Sequence, residues 1–579
     1  MRHAATDRRR GLLATLLAAL AATAPVAVPQ AAGALTLRHR WVYLSTNLLV
    51  ETNVARALAV MARAARAGYT GIALADSKFM RWDTLPDRYA KHVARVRAAA
   101  ARLKLDVIPC VMPIGYSSAL LSRDPNLAEG LPVKDAPFVV RKGRLVPVDD
   151  SLKPANGSFE VYHTHRPAGW NWADKPGRIT FIDTRVARHG RASLRMQNIT
   201  RESRLHGNAR VMQTLKVTPY RYWHLSVWVK TRDFSAAENA KVLVLAGNRT
   251  LTHHRPYIMR TQDWKQIHVT FNSLEHKEVR LYLGVWSGKG GTIWWDDLRV
   301  EPGGLVNLVR RSGAPLTVTS EDGKTTYVEG RDFTGARDPK LGNIGYKGHF
   351  NVWHDRPDVT VPEGSRLAEG QRVRISYYHV PIVGRSQVMC CMNEPGVYKA
   401  LDWQIAQVHK HLAPPGYFMQ HDEIRVHGWD ASCRARGLAP GQVLADNVRR
   451  CAQIIRKHAP GKDVYVWSDM FDPHHNAPSS GTYYLVRGDG PWHGSWKGLD
   501  KNITIVNWNS RPSRRLPSMR HFEALGCKQI LAGYYDGTPA AIKAWLSDAA
   551  QVKGVVGVMY TTWRHRYDDL EEFAARLRD

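Results

Sequence analysis

A chain of 579 residues is too long to organise around one core and reads as two or three domains, each able to bury its own apolar interior. Its 44% hydrophobic and 23% charged residues are ordinary for globular proteins and exclude a largely disordered chain. The formal net charge of +31 is spread along the chain without forming blocks, so it leaves two readings open: attraction of acidic polymers, or a composition bias of the surface. No nucleic-acid-reading motif accompanies the charge, and no nucleic-acid partner is expected.

Residues 1–34 form a separate segment, in which Arg8-Arg9-Arg10 precede an apolar run from Gly11 to Ala24 and small residues end at Ala32-Gly33-Ala34. This is the layout of an export signal, which predicts a periplasmic or secreted bacterial protein without a stable membrane span. From Trp41 short apolar strands alternate with amphipathic helices. Strands are expected at 41–47, 68–76 and 105–113, with helices over Val54 to Ala67 and Arg88 to Leu103 between them. From about Ala155 to Pro302 the pattern changes to short alternating strands with turn signals, as in a β-sandwich. A further strand-rich piece runs from Leu305 to about Val380. Five more strands follow, at 416–423, 463–470, 502–509, 528–536 and 555–563, separated by helical stretches.

Three strands and five make the eight of a closed barrel. The expected fold is therefore α/β: a (β/α)8 TIM barrel interrupted after strand three by an all-β jelly-roll sandwich and a small β-rich segment. The domain reading is a signal peptide at 1–34, barrel at 35–150, sandwich at 151–303, β-rich segment at 304–385, and barrel again at 386–579.

In barrels of this kind reactive groups sit where strands exit at the C-terminal face. The expected strand ends bring Asp422-Glu423, Trp467 and Asp469, Asn507-Trp508, Tyr534-Tyr535-Asp536 and Trp563 to that face. Carboxylates supply acid and base groups, and the aromatic rings offer flat faces to sugars. Adjacent carboxylates disfavour each other's ionisation, so one of the Asp422 and Glu423 pair stays available as a proton donor.

The phrases His421-Asp422-Glu423, VWSDMFD at 466–472 and Tyr534-Tyr535-Asp536 resemble strand ends four, five and seven of the family 20 β-N-acetylhexosaminidases. That resemblance implies a retaining glycoside hydrolase, with cleavage assisted by the 2-acetamido group of the substrate. It implies Glu423 as acid/base, Asp422 as the carboxylate that orients the acetamido group, Tyr534 and Asp536 as its contacts, and Trp563 in the aromatic wall. Trp467, Asp469, Trp508 and Asn507 complete the expected substrate-binding set. The sequence departs from the family at Gln420-His421 before the pair, in lacking an arginine on strand one, and at Trp563-Arg564-His565 on strand eight. Two alternatives follow: a carboxylate nucleophile, Asp469 or Asp536, acting on sugars without an acetamido group, and a barrel that binds glycan without cleaving it. The sandwich in turn resembles jelly-roll carbohydrate-binding modules in its opening and closing phrases, with Trp170 and Trp172 as candidate glycan platforms and one of Trp294 and Trp295 in the core. An oligo- or polysaccharide is the expected partner.

No cofactor and no metal are expected. Cys110, Cys390, Cys391, Cys433, Cys451 and Cys527 lack paired CxxC spacing and read as buried thiols, with a Cys433 to Cys451 bridge as the alternative. Asp472-Pro473-His474-His475-Asn476 carries competent ligands without the convergent spacing of a site. Asn393-Glu394-Pro395 looks like the acid/base phrase of another glycosidase clan but precedes a helix.

Overall fold

Eight parallel strands, His39–Ser45, Gly71–Ala75, Asp106–Val111, Gly416–Met419, Asp463–Trp467, Ile503–Asn507, Gln529–Ala532 and Val555–Tyr560, close into a barrel in chain order in a computed structural model of the protein. The structure describes residues 35–199, 207–235, 237–252 and 254–578; the export segment expected at 1–34 lies outside them. The first strand pairs with the last through His39↔Gly557 to Val42↔Tyr560, and with the second from Trp41↔Gly71 to Ser45↔Ala75.

The expectation of a (β/α)8 TIM barrel is corrected by the connections. Helices Glu51–Ala67 and Arg88–Leu103 follow the first two strands, and Pro440–His458, Pro512–Ala524 and Ile542–Ala549 follow the fourth, sixth and seventh. Between the fifth and sixth strands there is no α-helix, only the 3-10 turns Asp469–Phe471 and Ser495–Gly498 and the short strand Leu485–Val486. The regular alternation of strand and helix is therefore broken, and antiparallel sheets make up much of the remainder. The cause is local: residues 472–501 carry Pro473, Pro478 and Pro491 together with Gly481, Gly488, Gly490, Gly494 and Gly498, each a helix breaker. In place of a helix, fully buried Trp492 stacks beside His427 with ring centroids 5.7 Å apart, and Ser495 Oγ donates to Met470 O at 2.6 Å.

Side-chain alternation along the strands separates two cores. Trp41, Tyr43, Ile108, Phe418, Tyr465 and Trp467 fill the barrel interior, while Val42, Leu44, Ile72 and Leu74 face the helices. Trp41 meets Tyr465 edge-on with ring centroids 4.7 Å apart. Gly71 makes room for it, since a Cβ there would come within 2.9 Å of the Trp41 ring. The outer face is sealed at helical spacing by Val54, Ala57, Val60, Met61 and Ala64 of Glu51–Ala67. Each fully buried side chain of valine size or larger contributes about 1.5–3 kcal/mol.

The insertion is a sandwich of two five-stranded sheets and an additional six-stranded sheet. The sandwich sheets run from Trp172–Ala173 to Thr292–Pro302. In the six-stranded sheet, Leu131–Arg141, grouped by sequence with the first part of the barrel, pairs with Arg372–His379 of the β-rich segment. Asn272 Nδ2 donates to Pro132 O at 2.9 Å, joining sandwich to sheet. Trp294 and Trp295 are both buried: Trp295 packs in the core, and Trp294 donates its indole N–H to Asp183 at 2.9 Å. Among the described residues no helix is long and apolar enough to cross a membrane.

Candidate active site

The C-terminal mouth of the barrel opens into a cavity of about 440 Å³ whose lining includes Tyr116, Asp422, Glu423, Trp467, Trp508, Tyr535 and Trp563. The fourth strand ends at Met419, so Asp422 and Glu423 stand in the loop just beyond it and not on the strand. Glu423 takes a left-handed backbone, φ 48°, a conformation that costs an ordinary residue about 1 kcal/mol or more. Hydrogen bonds on both sides hold it there. Its own N–H donates to Asp469 Oδ2 at 2.9 Å. Gln387 Nε2 donates to its carbonyl at 3.1 Å and to Gly115 O at 2.8 Å. The loop after the third strand packs so closely that a Cβ at Gly115 would fall 1.7 Å from Asp422 O.

The Glu423 carboxylate is gripped by two groups. Arg425 Nη2 stands 2.5 Å from Oε1, and the Tyr116 hydroxyl donates to Oε2. Burial opposes the charge on Arg425, but Glu423, Tyr483 and Tyr116 together outweigh it and hold the guanidinium firmly charged. Burial also raises the Tyr116 hydroxyl, and Glu423 adds to it, so that Tyr116 stays a donor. Asp422 differs: burial, followed by the charges of Asp469 and Glu423, pushes its carboxyl up to about 8. Burial raises Asp469 as well.

The residues expected at the site separate into three groups. Asp422, Glu423, Trp467, Trp508 and Trp563 line the cavity together. Asp469 is fully buried behind them, accepting from Trp508 Nε1 at 3.1 Å and from Asn476 Nδ2 at 2.8 Å. Asn507, Asp536 and Tyr534 are placed elsewhere. Asn507 is buried and donates to Ser518 Oγ at 3.0 Å and Gln529 Oε1 at 3.2 Å. Asp536 accepts from Thr562 Oγ1 at 2.5 Å and from Trp563 N at 2.7 Å, which braces the loop carrying Trp563. Tyr534 stacks on Tyr560, 4.1 Å between centroids, and gives its hydroxyl to Asp569. Its neighbour Tyr535 faces the cavity instead, stacked parallel to Trp508 at 5.7 Å.

Tyr116, Arg425 and Gln387 were not singled out by sequence. Arg425 follows the carboxylate pair two residues on, and Tyr116 lies just past the third strand, but nothing in their spacing ties them to Glu423. The remaining motifs are absorbed structurally. Glu394 immediately precedes Pro395–Leu412 without a side-chain capping bond and pairs instead with Arg311 at 2.8 Å. Asp472 accepts from His474 N and Asn509 Nδ2, and His475 packs edge-on against Trp508. Trp170 is buried on Phe159, whereas Trp172 is 52% exposed. All six cysteines are buried thiols, and Cys433 neighbours Cys391, not Cys451.

No family model matches the chain, and no curated protein matches it. Among solved structures, a family 16 carbohydrate-binding module is similar at 16% identity, over 26% of this chain and 98% of that one, with a TM-score of 0.20. A rhamnosidase from a Novosphingobium species is similar at 12% identity, over 91% and 55%, with a TM-score of 0.27. An inactive variant of a family 20 exo β-N-acetylglucosaminidase from Vibrio harveyi is similar at 8% identity, over 64% and 93%, with a TM-score of 0.26. At these scores any functional reading rests on the site itself.

Proposed function

We propose that the chain is a glycoside hydrolase that seats a sugar ring in the aromatic cavity and cleaves its glycosidic bond with the Asp422 and Glu423 pair. The observation that carries this is the convergence, in one cavity, of two carboxyls with Trp467, Trp508, Tyr535 and Trp563. Indole and phenol faces bind the apolar faces of sugars, and a carboxyl must protonate the departing oxygen. Burial and the charges of Asp469 and Glu423 push the Asp422 carboxyl up to about 8, so it holds a proton beside Glu423 at neutral pH, and Glu423 is the group that protonates the leaving oxygen. Tyr116 and Arg425 then stabilise the carboxylate left behind.

In its finer form the reaction proceeds with retention on an N-acetylhexosamine whose own carbonyl oxygen attacks the anomeric carbon. Support comes from the state of the two other candidate nucleophiles: Asp469 is fully buried and Asp536 is occupied by Thr562 and Trp563. In this reading Tyr535, which lines the cavity, holds the acetamido group in the role first expected of Tyr534. The test is turnover of aryl glycosides with and without a 2-acetamido group, by wild type and Glu423→Gln. Hydrolysis confined to acetamido substrates, and reduced by about two to four orders of magnitude in Glu423→Gln, is expected. Binding of glycan without turnover of any substrate establishes a non-catalytic barrel instead.

A further inference from the structure

A second group of reactive side chains lies outside the cavity lining. It forms where the loop after the third barrel strand, the return from the insertion and the loop after the fourth strand meet. Glu129, Cys391, Asp430 and Cys433 are all buried, and one donor atom from each lies within 4.8 Å of all the others. Cys391 Sγ is 3.6 Å from Cys433 Sγ and 3.6 Å from Asp430 Oδ1, and Cys433 Sγ is 3.3 Å from Glu129 Oε2. Bonds of about 2.3 Å to sulfur and 2.0–2.2 Å to oxygen at tetrahedral angles separate donors by about 3.4–3.8 Å. The three separations of 3.3–3.6 Å fit four ligands around one small ion, and the remaining donors lie within 4.8 Å of one another.

Each of three donors is also oriented from behind. Trp429 N donates to Glu129 Oε1 at 2.9 Å, Arg311 Nη2 to Asp430 Oδ2 at 2.6 Å, and Asn393 Nδ2 to Cys433 Sγ at 3.1 Å. Outer hydrogen bonds of this kind fix the orientation of ligands in metal sites. His427 Nδ1 stands 3.6 Å from Glu129 Oε2 and 3.9 Å from Cys433 Sγ, where it borders the ligand set.

We propose that Glu129, Cys391, Asp430 and Cys433 hold a structural zinc ion. Two sulfur donors disfavour calcium and magnesium, which take oxygen ligands, and a closed tetrahedral set of sulfur and oxygen suits zinc. Binding forms two zinc–sulfur and two zinc–oxygen bonds, and the two thiol protons leave to solvent. The ion ties the loop holding Glu129 to the one holding Asp430 and Cys433. That second loop also carries Arg425, the partner of Glu423, so the metal acts on the cavity by position only. The ion site is independent of the glycosidase reading.

The test uses the full chain, desalted without chelator and then incubated with zinc sulfate. Mass spectrometry of metal content is expected to find about one zinc per chain, with six thiols titrating after denaturation in chelator. Cys433→Ser should weaken zinc retention on the order of tenfold or more, while Cys451→Ser, buried elsewhere, should leave it unchanged. Because Cys433→Ser risks misfolding, wild type is also loaded with cobalt(II). A tetrahedral visible spectrum with a thiolate charge-transfer band is expected. Peptides linked through Cys391 and Cys433, with two hydrogens lost, overturn the proposal in favour of a disulfide. Six free thiols with no zinc and no cobalt spectrum overturn it in favour of a metal-free polar cluster.

Discussion

Asp422→Asn tests the storage of a proton beside Glu423. Burial and the charges of Asp469 and Glu423 bring the Asp422 carboxyl up to about 8, against an ordinary aspartate near ~3.9. At pH 7 the group is therefore protonated in roughly nine molecules of ten, and beyond pH 8 each further unit removes about nine-tenths of the protonated form. Wild-type kcat/KM, followed by release of an aryl leaving group, should be level on the acid side of about pH 7.5 and fall about tenfold per unit above pH 8. Asparagine keeps the shape without the proton, so the alkaline limb should vanish and the plateau drop by about two orders of magnitude or more. The same shift has a stability sign. A folded-state pKa above the unfolded one means that the contribution of Asp422 is full below pH ~4 and is lost as pH rises toward 8. Asp422→Asn should thus raise Tm at pH 7.5 more than at pH 4.5. A wild-type kcat/KM that climbs through pH 8 would show that Asp422 works ionised and refute the reasoning.

Other changes bear on the same site. Tyr116→Phe removes the hydroxyl that Glu423 accepts and should lower kcat about tenfold with little change in KM, as read from initial rates. Gly115→Ala places a methyl 1.7 Å from Asp422 O, so the loops must part; kcat should fall by at least about tenfold and Tm by several degrees. A fragment of residues 155–302 should fold alone by circular dichroism and be retained on an insoluble polysaccharide, with retention lost in Trp172→Ala, since that ring is 52% exposed. A folded fragment that binds no glycan assigns the sandwich a spacer role.

Continuous apolar runs such as Trp41-Val42-Tyr43-Leu44 locate barrel strands from sequence because burial on both faces demands apolar side chains in succession. The cavity residues Trp508 and Trp563 were legible for a related reason, as aromatic groups placed where such runs stop. The missing helix was written in the prolines and glycines between Pro473 and Gly498, but reading eight strands invites eight helices. Tyr534 and Tyr535 show another limit. Adjacent residues point opposite ways, and which one faces the cavity depends on a turn with φ of 54° and 55° at Tyr535 and Asp536. The zinc ligands were illegible because they come from three distant segments, and no spacing rule joins Glu129 to Cys433.

The pairing of His39–Ser45 with Val555–Tyr560 sets the order in which the molecule can be assembled. Two neighbouring staves of the barrel, paired through His39↔Gly557, lie far apart in the sequence, with the sandwich and its companion sheet made in between. The early strands must wait with open hydrogen-bonding edges until the final strand arrives, while the sandwich needs only its own residues to complete its sheets. A nonsense change just before Val555 would therefore do more than remove one strand. It would leave the strands His39–Ser45 and Gln529–Ala532 each with one unpaired edge, a template for aggregation in a chain whose inserted module had already folded.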